Sequence, residues 1–163
     1  MKKFIDRIVT DMTAEEEAAL YVVTPIAYDV QTSALAALKM LLNGTNPATD
    51  DDKITVCALY NTWTSGSHTK GEVYTAAEQV WECYQDYDNA VYPDIVPGNA
   101  AWYTFNRPLH GTTPQTARYF VQPTGAHDMY RAGEYAVFDD RLCKCKSDTA
   151  YLPAEYPATW ETA

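Results

Sequence analysis

The stretch GAHDMYRAGEYAVFDDRLCKC sets a His beside an Asp (His127, Asp128) and two cysteines one residue apart (Cys143, Cys145). These are the residue types of acid–base catalysis and of thiolate metal binding. A tetrahedral zinc shell needs four ligands, and no second Cys/His pair stands at a usable spacing to complete one. Adjacent residues in extended chain point to opposite sides, so Asp128 is badly placed to orient the His127 ring as a triad acid does. His68 and His110 are isolated in the sequence, and there is no nucleophile elbow, H-E-x-x-H or phosphate-binding glycine loop. The expectation is a non-enzyme with no catalytic residue, no metal and no cofactor. His127 then serves a turn or a hydrogen bond, and the cysteines are core thiols.

The frame that must hold these residues is bounded by composition. A chain of 163 residues with 47% hydrophobic content is long enough for one ordinary domain or two very small ones. Its net charge of −10 is shared along the chain and leaves no basic patch, which argues against nucleic acid and anionic lipid as partners. The stretch MKKFIDRIV interrupts its apolar run with Asp6 and Arg7, unlike a signal peptide, and no later segment approaches the roughly 20 apolar residues of a membrane span. Without an export signal, Cys57, Cys83, Cys143 and Cys145 are expected as reduced thiols.

Aromatic residues divide the chain. Of 21 in all, 18 lie between Tyr60 and Trp160. Before them the pattern is helical. Thr13 with Glu16 resembles a capping box, DVQTSALAALKMLLNG aligns Val30, Ala34, Leu35, Leu38, Leu41 and Leu42 on one face, and Thr49 with Asp52 marks another helix start. Residues 1–59 are therefore expected as a helical segment for attachment or oligomerisation. After the boundary, EYAVF and RLCKCK alternate in side-chain direction between Gly and Pro punctuation, which predicts short strands.

That second part repeats. HTKGEVYTAAEQVWECY (from His68) aligns with YRAGEYAVFDDRLCKCK (from Tyr130) without a gap at an offset of 62, placing Gly71-Glu72 on Gly133-Glu134, Trp81 on Cys143 and Cys83 on Cys145. Pro93 then matches Pro153, Trp102 matches Trp160, and Trp63 falls near Val121. Each copy predicts a turn at Gly-Glu, a hairpin at Glu78-Gln79 or Asp139-Asp140, and a return strand with an inward i, i+2 pair. Because Cys143 stands where Trp81 stands in the sister copy, the cysteine pair is expected in a core, with Lys144 and Lys146 facing water.

A unit reading W-x(n)-[YH]-x-x-G-[ED]-x-[VY], then a hairpin, then [WY]-x-C and P-x(n)-W resembles the small chitin-binding-type carbohydrate-binding modules at the ends of chitinases and cellulases. HGTTPQTARYFVQPTGAHDMYRAGEY with SDTAYLPAEYPATW is more similar still to their tandem form in tail-associated proteins of phages and prophages of Gram-positive bacteria. The resemblance spans residues 60–163. It implies compact β-modules in which Trp63, Trp102 and Trp160 are mainly core rings, with sugars stacking on exposed aromatics just after the return strand. In the first copy that region supplies Tyr84, Tyr87 and Tyr92 flanked by Asp86, Asp88 and Asn89. In the second, Lys146 replaces the aromatic and Tyr151 and Tyr156 remain.

The expected fold class is thus α+β: a helical segment 1–59, then two small tandem all-β modules of short antiparallel sheets, 60–106 and 107–163. The expected function is that of a non-enzymatic virion protein of the tail, made in the host cytoplasm. It binds bacterial surface polysaccharide through Tyr84, Tyr87, Tyr92, Asp86 and Asp88, contacts other virion proteins and forms a homo-oligomer. The alternative is a structural spacer whose modules pack on other proteins.

Overall fold

The structure is a computed structural model that describes residues 23–163 and the backbone of two strands before them, β1 (Lys2–Ile5) and β2 (Ile8–Asp11). These two pair antiparallel from Lys2↔Asp11 to Ile5↔Ile8. Segment 1–59 is therefore not wholly helical. Phe4, Ile5, Ile8, Val9 and Thr10 are strand formers, and this local preference prevails. The Thr13/Glu16 signal lies outside the described residues.

The long helix runs Val30–Leu42, started by Asp29, whose carboxylate accepts from the Thr32 amide at 2.7 Å. That hydrogen bond holds the Asp29 carboxyl below its usual range. Gly44, at φ +69, follows the helix end. The helix lies small side inward: Ser33 is fully buried and donates to the Thr55 carbonyl at 3.1 Å. The predicted apolar face exists but points to solvent, with Val30, Leu35, Leu38, Leu41 and Leu42 between 50% and 77% exposed.

The short helix Asp50–Thr55 carries the predicted capping box of Thr49 and Asp52. Its acidic first turn suits the helix dipole and also reaches across the chain. Asp50 takes both guanidinium nitrogens of Arg107 at 2.9 Å, and Asp51 accepts from the Thr112 amide at 2.8 Å and from the Thr116 hydroxyl. Behind this polar seam, Ile54 and Cys57 pack with Val80 and Leu109. The helical part is thereby fastened to the strands.

The remaining chain forms small sheets. Strands β4 (Val73–Ala76) and β5 (Gln79–Cys83) make one hairpin, and β9 (Tyr135–Phe138) and β10 (Arg141–Cys145) another, every boundary displaced by 62. The backbone repeats in detail. Gly71 and Gly133 have φ of +88° and +96°, and each donates to the carbonyl of its cysteine, Cys83 or Cys145, at 2.8 Å. The Lys70 and Ala132 amides donate to Asp86 and Asp148, again 62 apart. Both hairpins turn through two residues of positive φ, Ala77-Glu78 and Asp139-Asp140, the type I′ form. The first turn thus sits one residue earlier than Glu78-Gln79.

A third strand extends each hairpin, and here the register corrects the sequence alignment. β7 (Asn106–Pro108) pairs with β5 through Cys83↔Asn106, and β11 (Trp160–Thr162) pairs with β10 through Cys145↔Trp160. The counterpart of Trp160 is Asn106, not Trp102, which is 36% exposed. The expected boundary after residue 106 falls inside β7. On the other edge, Trp63 donates its amide to Thr75 O and Phe120 its amide to Val137 O, so Phe120 rather than Val121 answers Trp63. Insertions between the paired elements, which a constant offset hides, explain both differences. Strand β8 (Arg118–Tyr119) lies parallel to β9 and gives the second sheet the order β11-β10-β9-β8. Two short strands, β3 (Ser67–His68) and β6 (Tyr87–Asp88), pair beside the first hairpin, and the bridge Tyr130↔Thr149 matches His68↔Tyr87 at the same offset.

The predicted inward pairs are buried: Trp81 with Cys83, and Cys143 with Cys145. On that shared face the first sheet places Tyr74, Trp81, Cys83 and Asn106 where the second places Ala136, Cys143, Cys145 and Trp160. The large ring has moved from the central strand to its neighbour. A thin core tolerates such an exchange because total volume and apolar pattern matter more than which strand supplies the ring.

Candidate glycan-binding surface

The segment after β5 places the predicted platform residues in different environments. Tyr84 is held at the surface by its amide, which donates to Phe105 O at 2.7 Å, and the residue is 39% exposed. Tyr87 lies in the core. Its hydroxyl accepts from the Trp63 indole at 2.8 Å, reaches Asn106 Oδ1 at 3.1 Å, and its ring meets His68 and Phe105. Burial pushes the Tyr87 phenol above its ordinary pKa. The platform expected from Tyr84, Tyr87 and Tyr92 therefore loses its middle ring, because alternation along the two-residue strand β6 turns Tyr87 inward. Tyr92 is exposed.

The acidic neighbours are occupied locally. Asp86 Oδ1 accepts from the Lys70 amide at 2.7 Å, and Asp88 accepts from the Ala90 amide at 2.9 Å and the Ser67 hydroxyl at 3.0 Å. Asn89 is buried, donating to Pro93 O and Ile95 O. These groups hold the loop between β5 and residue 95 in place.

Tyr84 instead joins two residues that sequence reasoning did not put beside it. The His127 ring sits between Tyr84, at 4.8 Å between centroids, and Tyr103, at 5.6 Å, with interplanar angles of 44° and 34°. His127 Nε2 pairs with the Tyr103 carbonyl at 2.8 Å, and Lys70 Nζ stands 5.8 Å from the Tyr84 ring centroid. Tyr103 is as exposed as Tyr84, and Trp102 is adjacent. The result is a twisted aromatic strip crossing from the first hairpin unit to the second. A narrow cleft beside it, with Trp102, Tyr103, Asn99 and Gln122 on its walls, holds only about 20 Å³. That space is too small to admit a sugar ring.

Asp128 lies in the same region, next to His127. Asp128 is buried and accepts from the Thr124 amide and hydroxyl, each at 3.0 Å, and from the Gly125 amide at 2.8 Å. It closes a turn, and its nearest oxygen stays 3.8 Å from His127 Nδ1. The other two histidines are not isolated in space: His68 Nδ1 pairs with Glu72 and His110 Nδ1 with Glu134, both at 3.0 Å. The Glu of each Gly-Glu step thus takes a histidine partner from a different place in the sequence. All four cysteines are free and buried, and burial pushes the Cys83 and Cys145 thiols up to about 11. Among the described residues, no group of three or more His, Cys, Asp or Glu is arranged to hold a metal ion.

Compared with family models, with curated protein sequences and with solved structures, the chain gives no match. Among the described residues, no helix is long and apolar enough to cross a membrane.

Proposed function

We propose that this chain is a non-enzymatic glycan-binding protein of a phage or prophage tail, with the two hairpin units acting as tandem carbohydrate-binding modules. The observation that carries the reading is the strip of Tyr84, His127 and Tyr103, whose two tyrosines are exposed where the units meet. Pyranose rings lay their apolar C–H faces on such rings while amide and charged side chains take the hydroxyls. Lys70 is exposed with its ammonium 5.8 Å from the Tyr84 ring centroid, and Gln85, exposed beside it, donates to Thr104 O and keeps its side-chain oxygen for a hydroxyl. The tail assignment rests on the resemblance of residues 60–163 to tail-associated modules. The chain's acidic balance turns the protein away from polyanionic partners. A glycan array probed with the intact chain tests the reading: reproducible binding to a subset of polysaccharides supports it, and uniform silence removes it.

A second reading is favoured by the outward leucines of the helix Val30–Leu42. Large exposed aliphatic stripes mark interaction surfaces. On this reading the helix joins copies of the chain or fixes it to neighbouring virion proteins, and the modules are spacers. The two readings differ in what the modules do: they bind sugar in the first and hold other parts apart in the second.

A further inference from the structure

Among the described residues, the two hairpin units differ at a place where the difference leaves open space. In the first, the Trp81 indole fills the region between β5 and the loop 96–100. Its Nε1 donates to Ala76 O at 3.1 Å, and a Cβ on Gly98 would meet the ring at 3.6 Å. Val121, Gln122 and Thr124 help close that region, leaving only about 20 Å³. In the second unit the same register position is Cys143, and beside it is a depression of about 260 Å³. Strand pairing fixes the equivalence: Trp81↔Pro108 flanks the first, and Cys143↔Thr162 the second. The loops at the side, 96–100 and 153–157, occupy the same step between central and outer strand. Phe138, standing where the first unit has Ala76, restores only part of the missing volume.

We propose that this depression is a hexopyranose subsite. Its volume is below the roughly 300–1,000 Å³ of drug-sized sites, as suits a single sugar ring. Phe138, Trp160, Pro153 and Pro157 supply apolar wall, while Asp139, Arg141 and Glu161 stand among its lining residues. That pairing of flat apolar surface with hydroxyl partners is what a sugar requires. Charges of both signs at the rim disfavour a simple ion. The first unit shows that a flat ring is accommodated at this position, since Trp81 provides one from within.

Titration of the intact chain with methyl glucoside, methyl galactoside and methyl N-acetylglucosaminide, followed by amide NMR shifts, tests the subsite. Saturable shifts grouped around Arg141, Cys143 and Trp160 are expected for at least one glycoside. Arg141→Ala weakens the affinity about tenfold, the equivalent of 1.4 kcal/mol. Cys143→Trp, which copies the first unit, abolishes the shifts. Ala154→Trp, a plug at the exposed rim that leaves the core untouched, abolishes them with the spectrum otherwise intact. No saturable shift with any of the three, or unchanged binding in Ala154→Trp, overturns the proposal. Saturation by free indole but by no glycoside overturns the sugar assignment. Tyr84→Ala leaves these shifts in place, so failure here and failure of the Tyr84–Tyr103 surface are told apart.

Discussion

Trp81 and Cys143 occupy one and the same register position in two hairpins 62 residues apart, each two residues before a wholly buried cysteine. Their difference is balanced one strand away, where Asn106 faces Cys83 and Trp160 faces Cys145. Each unit buries one indole on this shared face, supplied by the central strand in the first and by its outer neighbour in the second.

The turn of the first hairpin holds Ala77 at φ +49°, a conformation that costs an L-residue with a Cβ roughly 1–2 kcal/mol. The second hairpin uses Asp139 there, which tolerates it better. Ala77→Gly is expected to raise the unfolding midpoint, and Ala77→Val to lower stability by about 1–2 kcal/mol, as chemical denaturation will measure. A destabilised glycine variant contradicts the type I′ assignment.

Arg107 joins the short helix to the first sheet by its fork on Asp50 and a 2.8 Å bond to Glu82, which also takes Lys53 at 2.7 Å. Burial alone raises the Asp50 pKa, but the hydrogen bonds and charge of Arg107 outweigh it and hold the carboxyl below its ordinary value. A depressed folded pKa contributes stability above the unfolded value, about 3.9, and that stability is lost as pH falls toward the folded value. Arg107→Met is expected to cost about 2 kcal/mol at neutral pH and to flatten the acid side of the stability curve. Equal slopes in variant and parent remove Asp50 from the account.

The leucine face makes its own prediction. If the helix Val30–Leu42 joins copies of the chain, light scattering on the intact protein gives a multiple of 18.3 kDa. Leu35→Glu/Leu38→Glu then returns it to a single chain without unfolding it, because both side chains are already half exposed. A monomeric parent withdraws self-association and leaves another protein as the occupant.

Much of this organisation was legible in the sequence. The offset of 62 located both hairpins, the Thr49/Asp52 pair located a helix start, and alternation buried Cys143 and Cys145. The orientation of the long helix was not legible, because a periodic stripe shows that a face exists and not which way it points. The burial of Tyr87 is not legible, because an aromatic in a turn-rich segment gives no sign that Trp63, 24 residues earlier, will bind its hydroxyl. The partnership of Tyr103 and His127 with Tyr84 is hidden for a similar reason. Tyr103 is brought beside Tyr84 by the pairing of β5 with β7, and His127 by the packing of the second unit on the first; the local hint is the aromatic cluster Trp102, Tyr103 and Phe105.

The thiols offer a simple check. With Cys83 and Cys145 buried and their pKa pushed up to about 11, alkylating reagents at neutral pH are expected to label neither in the folded chain. All four cysteines become labelled once the protein is unfolded. Rapid labelling of Cys145 in the native state contradicts its core position.

The central claim is tested most directly by co-sedimentation with a purified Gram-positive cell-wall preparation, comparing the parent with Tyr84→Ala/Tyr103→Ala. Both rings are exposed, so the double variant keeps its fold. Removing two stacking partners at about 1 kcal/mol each is expected to lower retention at least tenfold. Equal retention of parent and double variant contradicts a glycan-binding role for this surface.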